Sequence, residues 1–179
     1  MLRKLIVVCA TISLCSLMVF SQEQESKAGE FFGGYQYLHA STGISGVDSF
    51  TLQGWNAAAS GYFTRNLGVT ADFSGNYGTP SGVTARLYTF MFGPSVRFPN
   101  LSRITPFGHA LFGGGRTSLS ASGLSGSETD FTWAAGGGFD VGVTKHVGVR
   151  LAQADFLQTR IAGQSQNHFR YSAGLVLKF

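Results

Sequence analysis

The sequence predicts an all-β chain, an eight-stranded antiparallel up-and-down barrel that crosses a membrane. Three observations carry the prediction. Apolar residues alternate with small or polar ones in eight separate runs, the two-residue period of a strand with unlike faces. Hydrophobic residues reach 44% while charged ones fall to 12%, about half the charged share of an ordinary soluble domain. The apolar parity is dense in aromatic rings, and the other parity is largely Gly, Ala, Ser and Thr rather than the Lys and Glu that cover soluble sheets.

The chain opens with MLRKLIVVCATISLCSLMVFSQ. Arg3 and Lys4 precede an apolar run from Leu5 to Phe20, and Val19 and Ser21 occupy the −3 and −1 positions of a cleavage site before Gln22. That layout predicts a secretory signal peptide over residues 1–21. A membrane-anchoring helix would need about 20 apolar residues. A lipoprotein signal would need a small residue before its cysteine, where Val8 and Leu14 stand before Cys9 and Cys15. Both cysteines would leave with the signal, so no disulfide is expected in the exported chain. Its formal charge would fall from +4 to +2 with no basic run left, which excludes nucleic acid as an expected partner.

Residues 22–29 are polar and read as a short loose segment, with the barrel expected over 30–179. The strands follow in order. Glu30–Ala40 places Phe31, Tyr35 and Tyr37 on one parity. Gly54–Thr64 sets Trp55, Ala57, Ala59 and Phe63 against Asn56, Ser60 and Thr64. Gly68–Tyr77 alternates without a break, Val69, Ala71, Phe73 and Tyr77 against Thr70, Asp72, Ser74 and Asn76. Ala85–Phe98 aligns Tyr88, Phe90, Phe92, Val96 and Phe98, and Pro106–Arg116 is glycine-rich and less decisive. Asp130–Val143 aligns Phe131, Trp133, Phe139 and Val141; Val147–Leu157 comes next. His168–Phe179 ends the chain with Phe169, Tyr171, Leu175, Leu177 and Phe179 on one face. Every second link reads as long and polar: 41–53, 78–84, 117–129 and 158–167.

A soluble β-sandwich also alternates. It would bury the rings and need solvating charges on the other face, which are missing here. The inverted arrangement accounts for the composition. In hydrocarbon every backbone amide needs a protein partner, so strands cross only as a closed cylinder. Its outer face is apolar with aromatic girdles at both interfaces. Eight strands leave an interior that side chains nearly fill.

From FFGGYQYL through GVTADFSGNYG and PFGHALFGG to GLVLKF, the chain resembles the OmpA-like or Opa-like outer-membrane β-barrel domain family of Gram-negative bacteria. The resemblance implies residence in the outer membrane, in contact with its lipid and lipopolysaccharide, and a structural or surface-interaction role with an extracellular ligand at the loops. It also implies that Tyr171, Leu175, Leu177 and Phe179 form the C-terminal signal read by the outer-membrane assembly machinery. No sequence resembling a peptidoglycan-binding domain follows, so cell-wall tethering is not carried over. An even strand count puts both termini on the periplasmic side and the longer links outside.

Asp72, Arg97, His109, Asp140, Arg150 and Arg170 are expected on the interior parity, as ion pairs filling the barrel rather than an ion pathway, since an unpaired interior charge is costly. A short turn at 144–146 places Asp140 opposite Arg150, and Glu30 is expected to meet Lys178 where first and last strands close. Asp155 conflicts with strict parity. Either a bulge intervenes or the residue lies above the membrane. His39 and Ser41 in LHAST resemble the His-x-Ser pair of outer-membrane lipid A deacylases, but the acid such a pair needs is missing nearby. His109, His146 and His168 lack metal-ligand spacing, and GGGRTS at 113–118 lacks the lysine of a phosphate loop. The expectation is therefore no catalytic site, no metal and no cofactor. A narrow porin-like channel is the alternative to a filled scaffold.

Overall fold

In a computed structural model, the described residues are 28–40, 50–79, 84–99, 103–121, 124–161 and 164–179. They form eight strands: β1 Ala28–Ala40, β2 Phe50–Tyr62, β3 Leu67–Gly78, β4 Thr84–Arg97, β5 Ile104–Ala121, β6 Leu124–Gly142, β7 Val147–Ile161 and β8 Gln164–Lys178. Each pairs antiparallel with its sequence neighbours, and β1 pairs with β8 to close the barrel. Closure runs from Glu30 opposite Lys178 to Ala40 opposite His168. Beyond it, Gly29 and Phe179 exchange backbone hydrogen bonds of 2.9 and 3.0 Å. The signal-peptide expectation lies outside the described residues, and β1 begins at Ala28, slightly earlier than the sequence places it.

Parity decides inside from outside. Phe73 is 45%, Phe131 60% and Phe139 53% exposed, whereas Asp72 and Asp140 are buried at 1 and 2%. The rings therefore face outward and the carboxylates line the lumen, the reverse of a soluble sheet packing. Outward rings meet across strands, as Phe73–Phe90 at 4.8 Å and Phe31–Phe179 at 5.6 Å between centroids.

Two tight turns repeat one sequence pattern, Phe63-Thr64-Arg65-Asn66-Leu67 and Val143-Thr144-Lys145-His146-Val147. In each, the threonine Oγ1 accepts from the backbone N–H groups two and three residues on, at 3.3 and 3.0 Å. This side chain supplies the acceptor that a turn's amides otherwise seek from water. The carbonyls of Asn66 and His146 then each accept at 2.8 Å from the end of a neighbouring strand, from Arg97 and Lys178.

The opposite end departs from the sequence reading. Links expected over 117–129 and 158–167 are mostly paired strand: β5 and β6 continue to Ala121 opposite Leu124, and β7 and β8 to Ile161 opposite Gln164. Strand β2 likewise begins at Phe50, not Gly54. Ser, Gly and Thr dominate these stretches, so they carry no hydrophobic alternation. Backbone pairing, which is blind to side chains, extends them.

A bulge in β7 settles Asp155. Asp140 pairs with Arg150 while Phe139 pairs with Ala152, leaving Leu151 as the extra residue. Leu151 and Ala152 are both exposed in succession. The parity flips there, so Arg150 before it and Gln153 and Asp155 after it all face the lumen.

Candidate functional site

Most of the charged side chains that pair among the described residues converge in the interior, stacked in layers along the barrel axis. At the turn end, Arg97 Nη1 donates to Glu30 Oε1 at 2.8 Å, and the Arg97 guanidinium lies 3.8 Å over the Tyr62 ring. Glu30 and Lys178 are backbone partners, yet the carboxylate turns across the lumen to Arg97 rather than to Lys178. The reason is access. Arg97 reaches in from β4 with its guanidinium over the Tyr62 ring, whereas Lys178 is the last residue of β8, half-buried.

Above this layer a continuous polar chain crosses the barrel. Arg150 grips Asp140 with two hydrogen bonds, 2.7 Å from Nε and 3.0 Å from Nη2, a bidentate pairing. Its guanidinium lies between the Phe32 and Phe107 rings, 4.4 and 3.9 Å from their centroids. Arg150 Nη1 donates to Gln153 Oε1 at 2.8 Å, and Gln153 Nε2 donates to Asp155 Oδ2 at 2.7 Å. Asp155 also meets His109 Nε2 at 2.8 Å and Arg170 Nε at 2.8 Å. Arg170 reaches on to Asp72 at 2.7 Å, which accepts from Asn56 Nδ2 at 2.8 Å. The structure thus joins Asp72, His109, Asp140, Arg150 and Arg170 in one chain through Gln153 and Asp155, and places Arg97 in a separate cluster.

Hydroxyl and amide pairs fill the flanks: Ser74 with Thr89 and Ser60 with Thr70, both 2.7 Å, and Gln36 Nε2 donating to Asn76 Oδ1 at 2.8 Å. A lone buried ion costs several kcal/mol; here Arg97, Arg150 and Arg170 each meet a carboxylate, and every carboxylate of the polar chain meets an arginine.

Toward the hairpin end the lumen turns apolar. Leu38, Leu52, Leu87, Met91, Leu111 and Leu157, each 5% exposed or less, pack into one cluster. The sequence reading assigned large apolar residues to the lipid face and missed this layer. Leu38 stands between Tyr37 and His39 and Met91 between Phe90 and Phe92, so both faces of these strands are apolar and alternation is faint. At this end lies a partly enclosed cleft lined by Leu38, Phe50, Leu52, Leu87, Thr159 and His168.

The arrangement offers little for covalent chemistry. His39 sits on the outward parity beside Tyr37, and Ser41 lies outside the described residues. Ser95 is opposite His109 on the neighbouring strand, but its Oγ hydrogen-bonds no described protein group. The His109 imidazole is instead engaged by Asp155 within the ionic chain, both side chains being buried. Among the described residues, no three His, Cys, Asp or Glu side chains converge in a metal-holding group. His146 is in a turn and His168 is in the apolar end, 3.0 Å from Thr159 Oγ1.

Residues 7–179 match the family described as outer membrane protein β-barrel domain. No curated protein matches the sequence. Among solved structures, Neisserial surface protein A superposes with a TM-score of 0.72 at 19% identity, covering 87% of this chain and 100% of that one. Ail, the attachment invasion locus protein of Yersinia pestis, gives 0.64 at 16% identity with 87% and 100% covered, and has also been solved with the heparin analogue sucrose octasulfate. OprG from Pseudomonas aeruginosa gives 0.58 at 11% identity with 87% and 97% covered.

Proposed function

Because the chain belongs to the outer membrane protein β-barrel domain family and resides in the outer membrane, we propose that it is a filled scaffold there, presenting its hairpin end to partners outside the cell. The turn end, with both strand termini, faces the periplasm in this reading. The observation that carries it is the lumen, plugged by ion pairs below and by the Leu38–Met91–Leu111 layer above. A hydrated pore needs a continuous polar path, and the apolar layer interrupts it. Strands β5 to β8, which run on into two long hairpins, provide a paired platform for contact. The likeness in fold to an attachment invasion locus protein supports a surface role. The outward stripe of Tyr171, Leu175, Leu177 and Phe179 on β8 serves in this reading as the assembly signal.

Three measurements test the proposal. Protease applied to intact cells should cut only at the hairpin end, and purified protein in planar bilayers should give no single-channel steps. Cells expressing a variant shortened over 117–128 should adhere less to surfaces than cells expressing the full chain. Resolved conductance steps together with unchanged adhesion would replace the scaffold by a narrow channel.

A further inference from the structure

The outer face of β3, β4 and β5 carries two arginines at one level near the hairpin end. Tyr77 is opposite Arg86, and Tyr88 is opposite Arg116, so the two cations are diagonal neighbours on the same face, within about 8 Å by strand geometry. Both are exposed. Neither has a carboxylate partner among the described side chains; Arg116 Nη2 reaches only Ser127 Oγ at 3.3 Å. Beside them the Tyr77 hydroxyl donates to the Tyr88 hydroxyl at 3.1 Å with the rings edge to face. Trp55 Nε1 and the Tyr77 hydroxyl lie over Gly75, where a Cβ would meet them at 2.8 and 3.1 Å.

Depth makes this arrangement informative. A membrane-crossing strand takes about 9–11 residues. Tyr77 is ten residues beyond Leu67 on β3, and Arg86 is eleven residues before Arg97 on β4. The arginines therefore stand at the far interface, at the edge of an aromatic shelf. Below them the face is apolar, with Phe73, Phe90, Phe92 and Phe112 all exposed, and Gly114 opens a gap between its partners Phe90 and Phe131.

We propose that Arg86 and Arg116 hold the phosphate of an outer-leaflet lipid, with the Tyr and Ser hydroxyls as further donors and the acyl chains lying on the phenylalanine face. Guanidinium forks match phosphate oxygens two at a time. A cation facing lipid without an anion is destabilising in hydrocarbon, whereas next to an anionic headgroup it is favourable. A free phosphate could use the arginines, but at the far interface, directly beside the lipid-facing phenylalanines, the phosphates at hand are those of lipid headgroups, so the lipid is the occupant. This rests on the reading that the hairpin end faces outward, but the two fail separately: surface cleavage reads orientation, and lipid adducts in micelles do not depend on it.

The test is native mass spectrometry of the full chain in detergent, with bisphosphorylated lipid A as probe and the same lipid dephosphorylated as control. Wild-type chain should bind the phosphorylated probe at least about tenfold more tightly than the control, the scale of losing charge-assisted hydrogen bonds. Arg86→Gln with Arg116→Gln should bring binding of the phosphorylated probe down to the control level. Arg65→Gln with Lys145→Gln, at the opposite end, should leave it unchanged. Equal binding of the dephosphorylated lipid, equal binding by the Arg86/Arg116 variant, or full displacement by millimolar inorganic phosphate would each overturn the site. Heat-modifiable gel mobility verifies folding; should the double variant not fold, the phosphate dependence of the wild-type chain decides.

Discussion

Arg170 is fully buried and shared between Asp72 and Asp155. Replacing it by Met would strand two carboxylates in the lumen, a loss of about 3–5 kcal/mol on the usual scale for breaking a buried pair. Urea unfolding in lipid bilayers should register that loss, and Asp72→Asn added to Arg170→Met should recover part of it. A change under about 1 kcal/mol would mean that the carboxylates find other partners. Gly136 matters for the same site, because a Cβ there would collide with Asp155 Oδ1 and the Ala154 carbonyl. Gly136→Ala should therefore also destabilise the barrel, by displacing the Asp155 side chain; unfolding midpoints indistinguishable from wild type would show that the strands can separate there. The interior charges on strictly alternating strands were legible from sequence, since Asp72 or Arg170 can be counted off from neighbouring rings. Their pairing was not, because Arg170 and Asp72 are 98 residues apart and only closure brings β8 across from β3.

At the scale of the strand, the β7 bulge is what the polar chain depends on. Deleting Leu151 and Ala152 together makes Gln153 follow Arg150 directly, so strict alternation forces either Arg150 or the Gln153 and Asp155 pair into lipid. Charges at mid-depth of a barrel's outer face cost about 2–4 kcal/mol each. The deletion variant should lose heat-modifiable mobility, whereas Ala152→Val, which keeps the length and an apolar outward side chain, should retain it. The repeated turns are cheaper features. Thr144→Val removes two hydrogen bonds to backbone N–H groups and should cost about 0.5–1.5 kcal/mol, read as a shifted unfolding midpoint without loss of the folded band. Strand identity and order could be read along the chain because lipid imposes a two-residue period on every crossing segment. The hairpin extensions could not, because outside the membrane no such demand shapes the sequence, and Gly- and Ser-rich stretches look alike whether paired or not.

For the whole molecule, stability comes from a core that is half ionic and half apolar. Leu111, with no exposed surface, belongs to the apolar half. Leu111→Ala should cost about 2–5 kcal/mol as core truncations do and still give no conductance in planar bilayers, because its neighbours Met91, Leu87 and Leu157 close the same section. Clear channel steps from that single variant would show the layer to be thinner than it looks. What the sequence determined by itself was the inside-out pattern: solvent acts on each residue separately, so lipid on one face and a narrow lumen on the other leave their mark position by position. What only the tertiary structure decided was how the lumen is filled, with which cation meeting which carboxylate, where β7 slips by one residue, and that leucines cap the polar chain. Those outcomes depend on distances between strands remote in sequence, which are set only once β1 and β8 join and the circumference is closed.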